Sequence, residues 1–304
     1  MIADRSIFDL DRFLVQEREE VEHAIVRACD QLASLLSDEL LGPVCYGVRT
    51  PGKRLRPILC AMAYRACGGV MKPEVYDLGS SLELIHAYAL MHDDLPGMDD
   101  ASLRRGEPTT HTLFGEKATI RAGLALIPAA SLLAHRAAGA LGCDDQARRS
   151  VLRKLNRAAG AGGMVGGQVL DLLGERRKLK IDELDRLHRM KTGALVTASV
   201  VIGGIAAGAS SGALDGLEKF GHGIGLAYQV TDDLLDATAS AGELGKNPSD
   251  GRLGKSTYVT LYGPEETARR AKGLVDEALQ VLRWAKIDGP ELNALAQHVI
   301  GRDR

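Results

Sequence analysis

The stretch LMHDDLPGMDDASLRRG, residues 90–106, sets Asp93, Asp94, Asp99 and Asp100 within eight positions and follows them with Arg104 and Arg105. Carboxylates this close repel unless a cation neutralises them, and a hard divalent ion bound through oxygen is the ordinary partner. A solvated acidic loop is the competing reading of the stretch taken alone. About 140 residues later, YQVTDDLLD from Tyr228 places Asp232 and Asp236 four apart, one helical turn, with Asp233 on the neighbouring row. Its neighbours Ile224, Leu226, Ala227, Val230, Leu234 and Leu235 are apolar, so this face is expected to point inward. A buried row of unpaired carboxylates would be very costly, so cations must compensate it. Two acidic helix ends suggest a cavity between facing helices, each wall supplying magnesium ligands.

Cations suited to phosphate are also present: Lys53, Arg54 and Arg56 in PGKRLRP, Arg104 and Arg105, Lys191 in KTG, and Lys246 and Lys255 in GKNPSDGRLGKST. Any one of them alone reads as a solvated surface charge; together, beside two acidic clusters, they point to a polyphosphate site. His86 precedes Asp93 by seven residues, two helical turns, so both lie on one side of a helix. A core histidine and a ligand contact both remain open for it.

The elements that must position these groups read as helices. Val21, Ile25, Ala28, Leu32, Leu35 and Leu36 recur at helical spacing, and 78–92, 117–141, 147–156, 183–207, 214–236 and 264–285 show the same pattern. No run of alternating β-branched and aromatic residues argues for a strand. Breakers are expected between helices at Gly42-Pro43, Pro51-Gly52, Gly68-Gly69, Pro96-Gly97, Gly106 to Pro108, Asn247-Pro248 and Gly263-Pro264. Small residues, as in AAGAGGMVGGQVLDL, are expected where helices cross closely. GHGIGL from Gly221 sits inside a helical pattern, so a dinucleotide fingerprint is not expected. The expectation is an all-α single domain over residues 1–304.

Composition narrows the rest. The 304 residues carry a formal net charge of −2, which argues against a general nucleic-acid binder. Five cysteines without a C-x-x-C pair argue against a zinc site or a disulfide framework and fit a reducing cytoplasm. The charged first 24 residues do not read as a signal peptide. The best candidate for a membrane span, 193–209, is shorter than the roughly 20 apolar residues a span needs, and it reads as a buried core helix.

GKRLRP, LIHAYALMHDDLPGMDDASLRRGEPTTH, GMVGGQVLDL, KTGAL, YQVTDDLLD and GKSTY, in this order along nearly the whole chain, resemble the trans (E)-prenyl diphosphate synthases, which make farnesyl and geranylgeranyl diphosphate. The resemblance implies a helical bundle around a central apolar cavity and a cytoplasmic homodimer without a membrane span. It implies magnesium-dependent condensation of isopentenyl diphosphate with an allylic diphosphate. Asp93, Asp99 and nearby Asp94 would hold two magnesium ions; Asp232, supported by Asp233 and Asp236, a third. Arg104, Lys191, Lys246 and Lys255 would contact the allylic diphosphate; Lys53, Arg56, His86 and Arg105 would hold isopentenyl diphosphate. Thr192 and Gln229 would face the developing cation. Tyr88, five residues before Asp93, would be the floor that stops growth at fifteen carbons, with small Ala89 not reinforcing it.

Some positions depart from the family pattern. Pro51 stands where a glycine is usual, Leu124 stands where many members carry an aspartate, and the loop from Lys246 to Asp250 looks one residue short. The last two resemble carotenoid-type geranylgeranyl diphosphate synthases and pull the product toward twenty carbons, against Tyr88. A class I terpene cyclase would not need the second diphosphate set, which is present here. A non-catalytic partner subunit typically loses one aspartate motif, and both are intact.

Overall fold

The computed structural model describes residues 8–175, 177–238, 256–287 and 289–301. Contacts divide the chain into two compact units: one of residues 11–156 and 202–208, the other of 1–10, 157–201 and 209–304. Both are built from helices, as expected.

In the first unit, α1 (Leu10–Ala33) buries Val21, Ala24, Ile25, Ala28, Cys29 and Leu32, the face that the spacing predicts. It stops at Ala33, so Leu35, expected on the same stripe, is 47% exposed. Helices α2 (Asp38–Arg49), α3 (Leu55–Ala66) and α4 (Pro73–Asp93) follow. Contrary to expectation, Pro43 lies inside α2 rather than between helices. The hydrogen bond it forgoes would run to the carbonyl of Glu39, an exposed residue that water can satisfy. Helix α4 starts five residues earlier than the sequence pattern suggests, with Pro73 at its first position, where a missing N–H costs nothing. It is buried nearly all round. Ser80 and Ser81 return their hydroxyls to the carbonyls of Asp77 (2.7 Å) and Leu78 (2.6 Å), so neither is left unsatisfied in the core.

After α4 comes a short antiparallel hairpin that the sequence reading lacked, β1 (Leu103–Arg104) and β2 (Glu107–Pro108), pairing Arg104 with Glu107. Its two-residue turn, Arg105 (φ 55°) and Gly106 (φ 83°), needs positive φ at both positions, a conformation that glycine adopts freely and arginine does not. Helices α5 (Thr110–Phe114), α6 (Glu116–Ala140) and α7 (Asp145–Ala159) follow. Among the described residues, α6 is the one helix long and apolar enough to cross a membrane by length and composition. Its Ala122, Leu126, Ala129, Ala130 and Leu133 are buried, and it packs on α4. The segment at 193–209 is a core segment, as read from the sequence, with Leu195, Val196, Ala198 and Val200 buried.

The second unit contains α8 (Met164–Gly174), α9 (Ile181–His188), a π-helical turn at Arg189–Gly193, the start of α10 (Ala194–Ala206), α11 (Ser211–Thr238), α12 (Tyr258–Tyr262), α13 (Pro264–Trp284) and α14 (Pro290–Gly301). The sequence pattern predicts one helix over 183–207; the π turn interrupts it. Helix α8 approaches so closely that a Cβ on Gly167 would collide with the backbone of Lys191, and a Cβ on Gly225 of α11 would stand 2.8 Å from Gly193 Cα. Backbones crowd the turn from two sides, and small residues allow it, as read from GMVGGQVLDL. GHGIGL lies within α11, so the dinucleotide reading fails as expected.

Candidate active site

In the first unit the acids sit where α4 ends. Asp93 is half-buried, Asp94 is buried, and Asp99 and Asp100 are exposed. Backbone bonds fold the following loop onto the helix end: Asp99 N to Asp93 O (2.9 Å), Asp100 N to Leu95 O (3.1 Å) and Ala101 N to Asp94 O (3.2 Å). The hairpin then swings Arg104 onto Asp94. Arg104 Nε donates to Oδ1 (2.8 Å) and Oδ2 (3.0 Å), and Nη2 donates to Oδ1 (2.5 Å). Burial works to lower the pKa of Arg104, but the hydrogen bonds to Asp94 and its charge raise it above its ordinary value. Asp94 is thus the anchor of an arginine.

The basic loop lies against the same hairpin. Arg105 Nη1 donates to the carbonyl of Pro51 (2.6 Å), joining the hairpin turn to the start of the PGKRLRP segment. Arg54, counted among the phosphate cations from the sequence, is 4% exposed and otherwise engaged. Its Nε donates to Glu22 (2.7 Å) and its Nη1 to Glu83 (2.9 Å), so it fastens the loop to α1 and α4. Lys53 is exposed and Arg56 half-buried. His86, half-buried on α4, has its pKa held well below the usual value, first by desolvation and then by the charges of Arg56, Arg105, Arg104 and Arg54. Arg54 is held by Glu22 and Glu83 and Arg104 by Asp94, so Arg56 and Arg105 are the charges beside this imidazole that can draw an anion. Lys53, Arg56, His86 and Arg105 come from one loop, two helices (α3 and α4) and one turn of the first unit.

Tyr88 and Ala89 are half-buried on α4. The Tyr88 ring packs edge-on against His92 at 4.8 Å, and its pKa is raised by burial and by the charge of Asp93. Leu124 is 54% exposed.

In the second unit a cavity of about 280 Å³ is lined by Asp171, His188, Lys191, Gln229 and the row Asp232, Asp233 and Asp236. The π turn carries Lys191 into it, where Nζ donates to Asp171 (2.5 Å). A π turn inserted in a helix at a functional position is a recurrent device for aiming one side chain. Thr192, next in the turn, is half-buried. On α11 the Gln229 amide donates to Asp232 Oδ2 (2.9 Å), and Asp233 Oδ2 accepts the backbone N–H of Tyr258 (2.8 Å). Behind them, Tyr258 donates to Asp185 (2.7 Å), Arg270 donates to the other oxygen of Asp185 (2.5 Å), and His188 stacks on the tyrosine ring at 5.6 Å. Burial pushes His188 down to about 4 despite the nearby charge of Asp171, so it is neutral at physiological pH. Asp171 and His188 were missed from sequence. A lone aspartate in the apolar VGGQVLDLLG, and a histidine three residues before Lys191, were the available signals.

Lys246 and Lys255 lie outside the described residues. Among the described residues no three Asp, Glu, His or Cys side chains by themselves form a metal-holding group. The half-buried Asp232 and Asp236, one turn apart on a cavity wall, nevertheless suit magnesium. That ion takes one or two carboxylates and completes its shell with water and phosphate oxygens.

An all-α scaffold with two Asp-rich helix ends and clustered Lys and Arg defines a class of enzymes acting on diphosphates. The sequence profile described as Polyprenyl synthetase matches residues 37–285, and the chain belongs to that family. It is 43% identical over 265 residues to the farnesyl diphosphate synthase of Escherichia coli (strain K12), covering 85% of this chain and 88% of that protein. It is 36% identical to geranylgeranyl pyrophosphate synthase 9, chloroplastic, of Arabidopsis thaliana, over 98% of this chain and 83% of that one. The crystal structure of a geranyltransferase from Legionella pneumophila superposes with a TM-score of 0.81 at 26% identity, covering 97% of each chain. The protein is a short-chain trans-prenyl diphosphate synthase, a prenyltransferase for which the family implies isopentenyl and allylic diphosphates as substrates and Mg²⁺ as cofactor.

Proposed function

We propose that the chain makes farnesyl diphosphate, adding isopentenyl diphosphate to dimethylallyl and then geranyl diphosphate. The observation that carries this reading is Tyr88, half-buried on α4 five residues before Asp93, which puts its ring about 7.5 Å deeper along the helix than the acids. The 43% identity to a farnesyl diphosphate synthase agrees with it. Product analysis by mass spectrometry, with each allylic primer, labelled isopentenyl diphosphate and magnesium, tests it: a fifteen-carbon product is expected, and a mainly twenty-carbon product overturns it. Geranylgeranyl diphosphate is the second reading, favoured by Leu124, the short loop near Pro248 and small Ala89.

In this reading Arg104 and Lys191 hold the allylic diphosphate, with Lys246 and Lys255, while Lys53, Arg56, His86 and Arg105 hold isopentenyl diphosphate. The allylic carbon–oxygen bond breaks, the double bond of isopentenyl diphosphate forms the new carbon–carbon bond, and the departing diphosphate takes the proton released. Fixed cations stabilise the charge that develops on the leaving group, and apolar walls keep water from the cation. Thr192 and Gln229 face that cation. Asp93 and Asp99 are assigned as magnesium ligands in the first cluster and Asp232 with Asp236 in the second, for three ions in all. Asp94 positions Arg104 and Asp233 ties α11 to Tyr258. Magnesium, when bound, adds charge stabilisation at the diphosphate. Both units then belong to one catalytic domain spanning 1–304, in a cytoplasmic homodimer, for which the exposed Leu113, Ile120 and Leu124 offer apolar surface.

A further inference from the structure

Helices α1 and α2 bring two thiols together. Only residues 34–37 join the helices; Cys29 lies four residues before the end of α1 and Cys45 seven after the start of α2. At about 1.5 Å per residue that is roughly 6 and 10 Å from the connection, so the two can face each other. Arg49 lies one turn beyond Cys45 on α2. Both cysteines line an open cavity of about 310 Å³ with Asp30, Asp38 and Arg49. The hydrogen bond from Cys45, followed by the Arg49 charge, lowers Cys29 to about 7 against the opposing effects of burial and Asp30, while Cys45 is raised. Lowering Cys29 favours its thiolate, the nucleophilic form of a cysteine. All five cysteines are free, and the catalytic reading uses none of them.

We propose that Cys29 and Cys45 form a redox-active dithiol that a hydroperoxide closes into an intramolecular disulfide, and that this bond loosens the grip on isopentenyl diphosphate. The Cys29 thiolate attacks the peroxide, breaking its O–O bond to give a sulfenic acid and, with a proton, water. The Cys45 thiol then attacks the sulfenic sulfur, forms the S–S bond and expels the second water. Two thiols lose two electrons and hydrogen peroxide becomes two waters.

The helices joined by this bond are those that hold the basic loop. Glu22, which grips Arg54, is seven residues before Cys29 and so on the same face of α1. The carbonyl of Arg49, four residues after Cys45, accepts from Arg54 Nη2 (3.4 Å). Drawing Cys29 and Cys45 to disulfide distance therefore displaces two of the supports of Arg54, between Lys53 and Arg56. This coupling rests on the reading of Lys53 and Arg56 as isopentenyl diphosphate ligands; the disulfide does not.

The test oxidises the reduced full-length protein with hydrogen peroxide and maps it by mass spectrometry. The expected product is lighter by two hydrogens, with Cys29 and Cys45 joined in one cross-linked peptide. Cys29→Ser and Cys45→Ser should each abolish the cross-link, while a Cys67→Ser/Cys143→Ser variant retains it. The oxidised enzyme should show KM for isopentenyl diphosphate raised about threefold or more, KM for the allylic primer within about twofold, and full recovery with dithiothreitol. Oxidation that stops at sulfinic acid, or links other cysteines, overturns the dithiol even if the serine variants fail to fold, because the mapping is done on the parent. A cross-linked enzyme with unchanged KM overturns the coupling. Failure of the ligand reading shows separately, as an Arg56→Ala variant whose KM for isopentenyl diphosphate is normal.

Discussion

The two acidic helix ends solve the same problem, crowded carboxylates, by different means. At the end of α4 the most buried carboxylate, Asp94, is gripped at both oxygens by an arginine that the hairpin delivers, and backbone bonds fold residues 95–101 over the helix end. On α11 the acids stay on the helix, and two of them accept from neutral donors, the Gln229 amide and the Tyr258 N–H. The first cluster is built round an internal charge pair, so its loop depends on that pair for shape. The second takes its shape from the helix itself, and its acids can be spent on ligands. Within each motif one carboxylate ties elements together, Asp94 through Arg104 and Asp233 through the Tyr258 N–H; the proposed metal ligands Asp93, Asp99, Asp232 and Asp236 are the others.

Removing the metal tests both clusters at once and should have the largest effect. Excess chelator should abolish turnover, magnesium should restore it, and zinc should not be needed. Full turnover in chelator would show that neither cluster acts through a bound cation.

Next in size is the contrast between Asp232→Ala and Asp94→Ala. Loss of Asp232 should lower kcat by about 100-fold or more, the scale of losing a key electrostatic stabiliser, with the melting temperature nearly unchanged. Loss of Asp94 leaves the largely buried Arg104 without its carboxylate, so stability should also fall, by about 1–3 kcal/mol. Thermal melts beside steady-state kinetics decide the matter. Equal destabilisation by the two variants would erase the contrast between a pinned loop and a helical row.

This contrast also marks where sequence reasoning stopped. Helical periodicity located α4, α6, α11 and α13, because long apolar stripes are a strong local signal, and the two aspartate motifs stood out as like charges that need a cation. The hairpin was missed because each strand has two residues, too few to alternate, and its turn uses Arg105 where Asn or Gly would have announced it. The π turn has no pattern of its own; it arises where Gly167 and Gly225 let two other backbones press on Arg189–Gly193. Pro43 reads as a breaker, yet the carbonyl it abandons belongs to an exposed residue. The pairing of Asp94 with Arg104, and the arrival of Asp171 beside Lys191, are tertiary facts that spacing along the chain does not encode.

A smaller effect should separate the cations of the two units. Arg56→Ala should raise KM for isopentenyl diphosphate more than KM for the allylic primer, and Lys191→Ala should do the reverse, since each removes one charge from one cluster. Lys191→Ala also leaves Asp171 without its ammonium partner, so kcat should fall with it. If each variant affects both substrates equally, the division of the basic residues between the two diphosphates is wrong.

The smallest effect on rate, and the clearest on outcome, concerns what α4 does above its acidic end. Tyr88 shares that helix with Asp93 but is one and a half turns away, so its truncation should leave both acidic clusters intact and change only the room for the growing chain. Tyr88→Ala should shift the product from fifteen carbons toward twenty or more at a kcat near that of the parent. The ring is half-buried and packs edge-on against His92, so the loss of stability should stay below the roughly 3–5 kcal/mol of a fully buried aromatic. Chromatography and mass spectrometry of the products, beside a melting curve, would separate the two effects. A folded variant with an unchanged product distribution would move the limit deeper along the same helix. Leu84 and Ser81 come next, and both are fully buried with no exposed edge to yield. In that case the growing chain would stop against closed core packing, and Leu84→Ala would be the variant that lengthens the product.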